Sequence, residues 1–165
     1  MTLPIVLWMS LLTAAQAQRW QVELGGLGVV ETANTDVDWT IGTGGEAGFF
    51  FGVGPRLWAG LSVMGFRKEG VIVANAVSPN DVDIDIGLNQ AYIVPGLRYD
   101  LFTRRTSLYA FAGIGPSLGD WTQTPRGGPD STRSFTAPAA SGGIGVEFQL
   151  GRWGFFWKAA FRWQP

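Results

Sequence analysis

Residues 140–163 read ASGGIGVEFQLGRWGFFWKAAFRW, and their alternation decides the fold. Ala140, Gly142, Ile144, Val146, Phe148 and Leu150 fall on one face of an extended chain, with Ser141, Gly143, Gly145, Glu147 and Gln149 on the other. After a tight turn at Gly151-Arg152 the period restarts. Trp153, Phe155, Trp157, Ala159, Phe161 and Trp163 share one side, and Gly154, Phe156, Lys158, Ala160 and Arg162 share the opposite one. One face is uncharged throughout, while the other holds the charges and most of the glycine. Strands of about 9 to 11 residues with this period of two and many aromatics are what a barrel crossing a lipid bilayer requires.

Alternation alone does not say which face points inward, because a soluble lipocalin-like barrel has the same period with the apolar face inside. The composition of the polar face makes the choice. A water-facing exterior carries dense charge, roughly a quarter to a third of its residues, whereas this face is mostly Gly, Ser and Ala with isolated charges. That suits a narrow lumen. A face of Trp, Phe, Val and Ile suits lipid, where each Lys or Arg near the midplane costs about 2 to 4 kcal/mol.

The whole chain agrees with this local reading. Its 165 residues suffice for one domain, 46% are hydrophobic and only 15% charged, and the net charge of −1 with no basic cluster argues against a nucleic-acid partner. Without Cys it has no disulfide framework and no thiolate metal site. Residues 1–17 carry no charged side chain; Leu3 to Leu12 is a short apolar core and Ala15-Gln16-Ala17 is a small-x-small cleavage pattern. They are assigned as a signal peptide, with the barrel domain spanning 18–165. No apolar run reaches the roughly 20 residues of a membrane-spanning helix.

Period two recurs along the chain. The first strand runs from Arg19 to Val30, with Trp20, Val22 and Leu24 outward and Gln21, Glu23 and Leu27 inward. The second, Trp39 to Phe51, points Ile41, Phe49 and Phe51 out and Glu46 and Phe50 in. The third puts Leu57, Leu61 and Val63 out and Arg56, Trp58, Ser62, Met64 and Phe66 in. Past Arg67-Lys68-Glu69 the strand character continues. It predicts a ribbon pairing 70–77 with 82–89 through a turn at Ser78-Pro79-Asn80-Asp81. The fourth strand has Ile93, Pro95, Leu97 and Tyr99 out and Gln90, Tyr92, Val94, Arg98 and Asp100 in, with a bulge or missing bond expected at Pro95. The fifth runs from Ser107 to Leu118. Gly119 to Thr136, with Pro125, Gly127, Gly128 and Pro129, reads as a long polar loop. The hairpin of 140–163 supplies the sixth and seventh strands. Short turns at 52–55, 103–106 and 151–152 mark the periplasmic side; the long connections near 31–38, 67–90 and 119–136 mark the outside.

Other motifs carry little chemistry. Asp81, Asp83 and Asp85 lack the Gly and the twelfth-position Glu of a calcium loop, since Ile86 and Tyr92 stand there. The Gly-rich pieces 25–28 and 113–115 lack the Lys and helix of a phosphate loop. Trp20, Trp39, Tyr99, Trp153 and Trp163 are expected as interfacial aromatics. Glu23, Glu46, Arg56, Arg98, Glu147 and Lys158 are expected as a lumen charge network, with Trp58, Tyr92 and Phe111 filling the bore around them.

On Gly44-Gly45-Glu46-Ala47-Gly48-Phe49-Phe50-Phe51, Pro95-Gly96-Leu97-Arg98-Tyr99-Asp100 and Tyr109-Ala110-Phe111-Ala112-Gly113-Ile114-Gly115, together with the signal peptide, the chain resembles the small outer-membrane β-barrels of the OmpA and OmpX type. The resemblance implies an all-β, antiparallel, up-and-down transmembrane barrel of the eight-stranded type in the cell outer membrane. Only seven strands are identifiable, so either an eighth is missing after Pro165, which is the expectation because no unassigned segment has a lipid-compatible face, or two strands are merged in this reading. The first and seventh strands would then be left with unpaired edges or in strained direct pairing. Enzymatic barrels of this class place a His at or near the catalytic group, and this chain has none; no catalytic function and no cofactor are expected. The expected partners are outer-membrane lipid and lipopolysaccharide, and the barrel-assembly machinery during insertion; the sequence names no extracellular partner. The function implied is a structural or surface scaffold with a filled polar lumen, the alternative being a small-solute channel of the OmpW kind.

Overall fold

Alternating β-branched, aromatic and small residues give the described residues nine strands and no helix. The computed structural model describes residues 5–14, 20–30, 38–72, 84–102, 105–125, 128–150 and 153–164. The strands are β1 (Ile5–Ala14), β2 (Trp20–Val30), β3 (Asp38–Trp39), β4 (Gly42–Gly52), β5 (Leu57–Ile72), β6 (Ile84–Phe102), β7 (Thr106–Pro125), β8 (Ser131–Leu150) and β9 (Trp153–Trp163). They form one antiparallel sheet in the order β3-β5-β4-β2-β1-β9-β8-β7-β6, and β5 also pairs with β6, which closes it into a barrel.

The faces follow the alternation. In β9 every even-numbered residue from Gly154 to Arg162 is buried, and every odd-numbered one from Trp153 to Trp163 is exposed. Phe49, Leu61, Leu97, Ile144 and Trp157 project outward from five different strands. This is the apolar exterior that hydrocarbon requires.

The eighth wall strand comes from an unexpected place. Ile5–Ala14 lies between β2 and β9, pairing Ile5 with Val30 and Ala14 with Gln21 on one side, and Ile5 with Phe161 and Thr13 with Trp153 on the other. β2 and β9 are therefore neither bare edges nor directly paired, and closure needs no strand after Pro165. The physical reason is length: ten residues, eight of them apolar, suit an export signal and a bilayer-spanning strand equally, and two open edges in lipid would leave rows of backbone groups unsatisfied. The cleavage region at 15–19 lies outside the described residues.

Strand length is uneven around the barrel. β2, β4 and β9 have 11 residues each, about the span of the bilayer core, whereas β5 to β8 have 16, 19, 20 and 20. The excess lies at the end opposite the short turns, so one side of the wall continues as a sheet beyond the membrane. Gly70, Val71 and Ile72 pair with Ile86, Asp85 and Ile84, the base of the expected ribbon; its tip at 73–83, with Asp81 and Asp83, lies outside the described residues, as do 31–37, 103–104, 126–127 and 151–152.

The expected loop over 119–136 is a correction. β7 and β8 stay paired from Gly119↔Phe135 up to Gln123↔Ser131, and the Thr122 and Thr132 hydroxyls are 3.2 Å apart across the pair. Polar residues there mark water on the sheet, not the end of a strand. Two smaller irregularities have local causes, the second of them expected. The second predicted strand is split after Trp39, where Thr40 N and Oγ1 both donate to Glu69 O at 2.8 Å. At Pro95 the β6–β7 ladder is interrupted between Tyr92↔Ser117 and Gly96↔Gly113 without a change of register: a gap and no bulge, as a residue without an N–H dictates.

Candidate functional site

The inward positions converge on a charged layer in the lumen. Arg98, on β6, sends its guanidinium to three carboxylates: Nη2 to Glu147 Oε2 at 2.6 Å, Nε to Asp100 Oδ1 at 2.9 Å and Nη1 to Glu23 Oε1 at 3.1 Å. The Tyr109 ring lies against its face, 3.9 Å from the guanidinium carbon. Lys158, on β9, holds Glu46 Oε1 at 2.8 Å and Glu23 Oε2 at 3.6 Å, with the Phe111 ring 4.9 Å away. Glu23 thus joins the two cations. Gln21 Nε2 donates to Glu23 and Glu147 at 3.4 and 3.3 Å.

All six of these charged side chains are buried. An unpaired ion in such a place costs several kcal/mol, so the pairing is what permits four acidic groups and two basic ones to share one cross-section. A planar guanidinium with five N–H donors can serve three acceptors at once, and a lysine cannot.

The structure therefore brings Glu23, Glu46, Arg98, Glu147 and Lys158 together. It does not bring Arg56 to them. Arg56 is exposed in the turn before β5, where its Nη1 reaches only Leu101 O at 3.5 Å. One residue outside a strand, the alternation no longer fixes which way a side chain points. Asp100 takes the remaining place: it bonds Arg98 and also accepts from Trp58 Nε1 at 2.8 Å, closing the end of the network nearest the short turns.

Sequence reasoning also missed a second layer. Leu27, Val29, Met64, Phe66, Tyr92, Val94 and Ala139 form a buried apolar cluster inside the barrel. Phe66 and Tyr92 stack at 6.0 Å, and the Arg162 guanidinium lies 4.6 Å from the Tyr92 ring and 5.7 Å from Phe66. Beyond it Gln90 Nε2 donates to Ser117 Oγ at 2.7 Å and Gln164 Oε1 at 2.6 Å. Each of these residues was assignable inward from its parity. That they collect at one height depends on the stagger of neighbouring strands.

Of the expected interfacial aromatics, Trp20, Tyr99, Trp153 and Trp163 are exposed on the outer face, and Trp39 stands in β3 opposite Gly70. Among the described residues no group of three or more acidic side chains could hold a metal ion.

A closed antiparallel barrel with an apolar exterior and buried lumen charges is the architecture of an outer-membrane protein. The sequence profile of the outer membrane protein beta-barrel domain matches residues 2–162. The chain belongs to this family. As an outer-membrane β-barrel protein it resides in the cell outer membrane. Comparison with curated proteins gives no match. Two solved structures of Ail, the attachment invasion locus protein of Yersinia pestis, are similar to it at 13% identity, covering 98% of this chain and 97% of that one; the TM-scores are 0.43 for the complex with the heparin analogue sucrose octasulfate and 0.40 for Ail alone.

Proposed function

We propose that this outer-membrane β-barrel is a non-catalytic scaffold with a blocked lumen, whose outward contacts are made by the sheet that β5 to β8 raise beyond the membrane. The observation that carries this is the double filling of the bore. The Arg98 and Lys158 network occupies one cross-section, and the Met64, Phe66 and Tyr92 cluster occupies the next. A barrel of about eight strands has an interior only just wide enough for side chains, so two filled layers leave no room for a solute path.

The raised sheet offers recognition surface. On β8, Ser131 to Ala139 pair with β7 alone, because β9 begins pairing at Ala140; Arg133 and Pro138 on this free edge guard it against unspecific strand addition. Lipid and lipopolysaccharide are the partners of the aromatic exterior, and the barrel-assembly machinery is the partner during insertion.

Purified full-length protein in planar bilayers tests the reading. The expected result is no stable single-channel conductance. Steady conductance steps from the wild type would replace the scaffold with a channel of the OmpW kind.

A further inference from the structure

The interruption of the β6–β7 ladder involves a second proline. Between Tyr92↔Ser117 and Gly96↔Gly113 the register is unchanged, which sets Pro95 opposite Ile114 and Ile93 opposite Pro116. On their other sides the same residues are paired, Pro95 with Leu61 of β5 and Pro116 with Pro138 of β8. In an antiparallel strand the N–H and C=O of one residue address the same neighbour, and residues two apart address that neighbour too. The missing donors are therefore the ones aimed into this seam. Ile114 O lacks a donor at Pro95, and Ile93 O lacks one at Pro116.

Ile114 and Leu118, outward on either side of Pro116, are exposed apolar residues, so the gap lies at hydrocarbon depth, at the end of the span nearer the raised sheet. Irregular backbone at that depth is tolerated where it is buried in protein or lines a cavity. A lumen cavity lies beside the seam, lined by Val94, Gly96 and Leu97 of β6, by Ala112 and Gly113 of β7, and by Glu46. Leu97 and Ala112 are register partners exposed on the outer face, so the wall there is one backbone thick. Gly96 and Gly113 add no side chain on the inner face, and a Cβ on Gly113 would meet Val94 Cγ1 at 2.5 Å and Pro95 O at 2.6 Å.

We propose that the seam at Pro95 and Pro116 is a lateral gate, the place where the wall between β6 and β7 parts locally and admits small molecules dissolved in the outer leaflet to the lumen cavity. Local opening starts where the fewest bonds must break, and here two donors are absent from adjacent rungs. The pairs from Ile84↔Pro125 to Tyr92↔Ser117 on one side of the gap, and those from Gly96↔Gly113 on the other, hold the two strands in register. The seam can therefore part and reclose without slipping. This path runs through the wall and not along the bore, so it is independent of the axial block.

Full-length protein in lipid nanodiscs tests the gate by two readouts. Amide hydrogen exchange at Ile93 and Ile114 should run about tenfold faster than at Phe49, Leu61 and Ile144, which sit in unbroken ladders. Pro95→Val combined with Pro116→Val restores both donors and should remove the difference. The chain has no Cys, so single cysteines report access. Val94 and Ser62 are buried register partners on β6 and β5. N-ethylmaleimide, which partitions into lipid, should modify Val94→Cys faster than Ser62→Cys, a charged maleimide should modify neither, and the two valines should bring Val94→Cys down to the rate of Ser62→Cys. Equal exchange at all five amides, equal labelling of the two cysteines, or labelling by the charged reagent would overturn the proposal. Should the valine variant fail to fold, wild-type exchange and the two single-cysteine proteins decide alone.

Discussion

Arg98 and Glu147 stand 49 positions apart in the chain and meet across the lumen with Nη2 and Oε2 2.6 Å apart. The contact ties β6 to β8, while the same guanidinium reaches Glu23 on β2. One side chain thus links three walls of the barrel.

Removing that cation should leave three buried carboxylates without their main partner. Arg98→Met is expected to destabilise the barrel by about 3 to 5 kcal/mol, the usual cost of breaking a buried pair from one side. Arg98→Lys should recover less than half of the loss, because a lysine lacks the planar fork. Urea unfolding in lipid vesicles, followed by tryptophan fluorescence, measures both; equal stability of Arg98→Lys and wild type would show that charge alone matters.

Because the bore is filled at two heights, opening one should not suffice. Lys158→Ala is expected to give no stable conductance while Met64, Phe66 and Tyr92 remain in place. Lys158→Ala combined with Phe66→Ala and Tyr92→Ala should give discrete steps in planar bilayers. Conductance from the single variant would assign the whole block to the ionic layer.

Gly145 receives the ring of Tyr109, whose ring and hydroxyl atoms occupy the place of a Cβ there. Gly145→Ala should therefore cost about 1 to 3 kcal/mol as an overpacked site. Adding Tyr109→Leu should make the alanine nearly neutral. A double-mutant cycle gives the coupling directly, and additive losses would mean that the two positions do not touch.

The seam can be read by cross-linking. Met9 is the register partner of Trp157, and directly paired positions lie about 4.5 to 5.5 Å apart at Cα, within disulfide range. In a chain that keeps residues 1–17, Met9→Cys with Trp157→Cys should cross-link on mild oxidation, detectable as a gel shift reversed by thiol. Removal at Ala17 takes β1 away, so the cleaved form of the same variant should stay uncross-linked, and its N-terminal residue by mass spectrometry should be Gln18. An uncleaved chain that fails to cross-link would place β1 elsewhere.

The sequence by itself determined the class of fold and the direction of nearly every side chain within it. Period two places Trp157 outward and Lys158 inward whatever the neighbours are, and the cost of charge in lipid then says which side is the lumen. Arg56 and the stretch 119–136 show where local reading stops. Past a strand end the parity rule has no hold, and polar residues describe the solvent on a strand as readily as they describe a loop. Only the tertiary structure decided which charges meet, because Glu46 and Lys158 are 112 positions apart and are joined by the curvature of the barrel. It alone also set Ile5–Ala14 between β2 and β9, since a ten-residue, largely apolar stretch carries no mark that separates a signal from a strand. What separates them is the requirement that a sheet in lipid leave no open edge, and that requirement belongs to the assembled barrel.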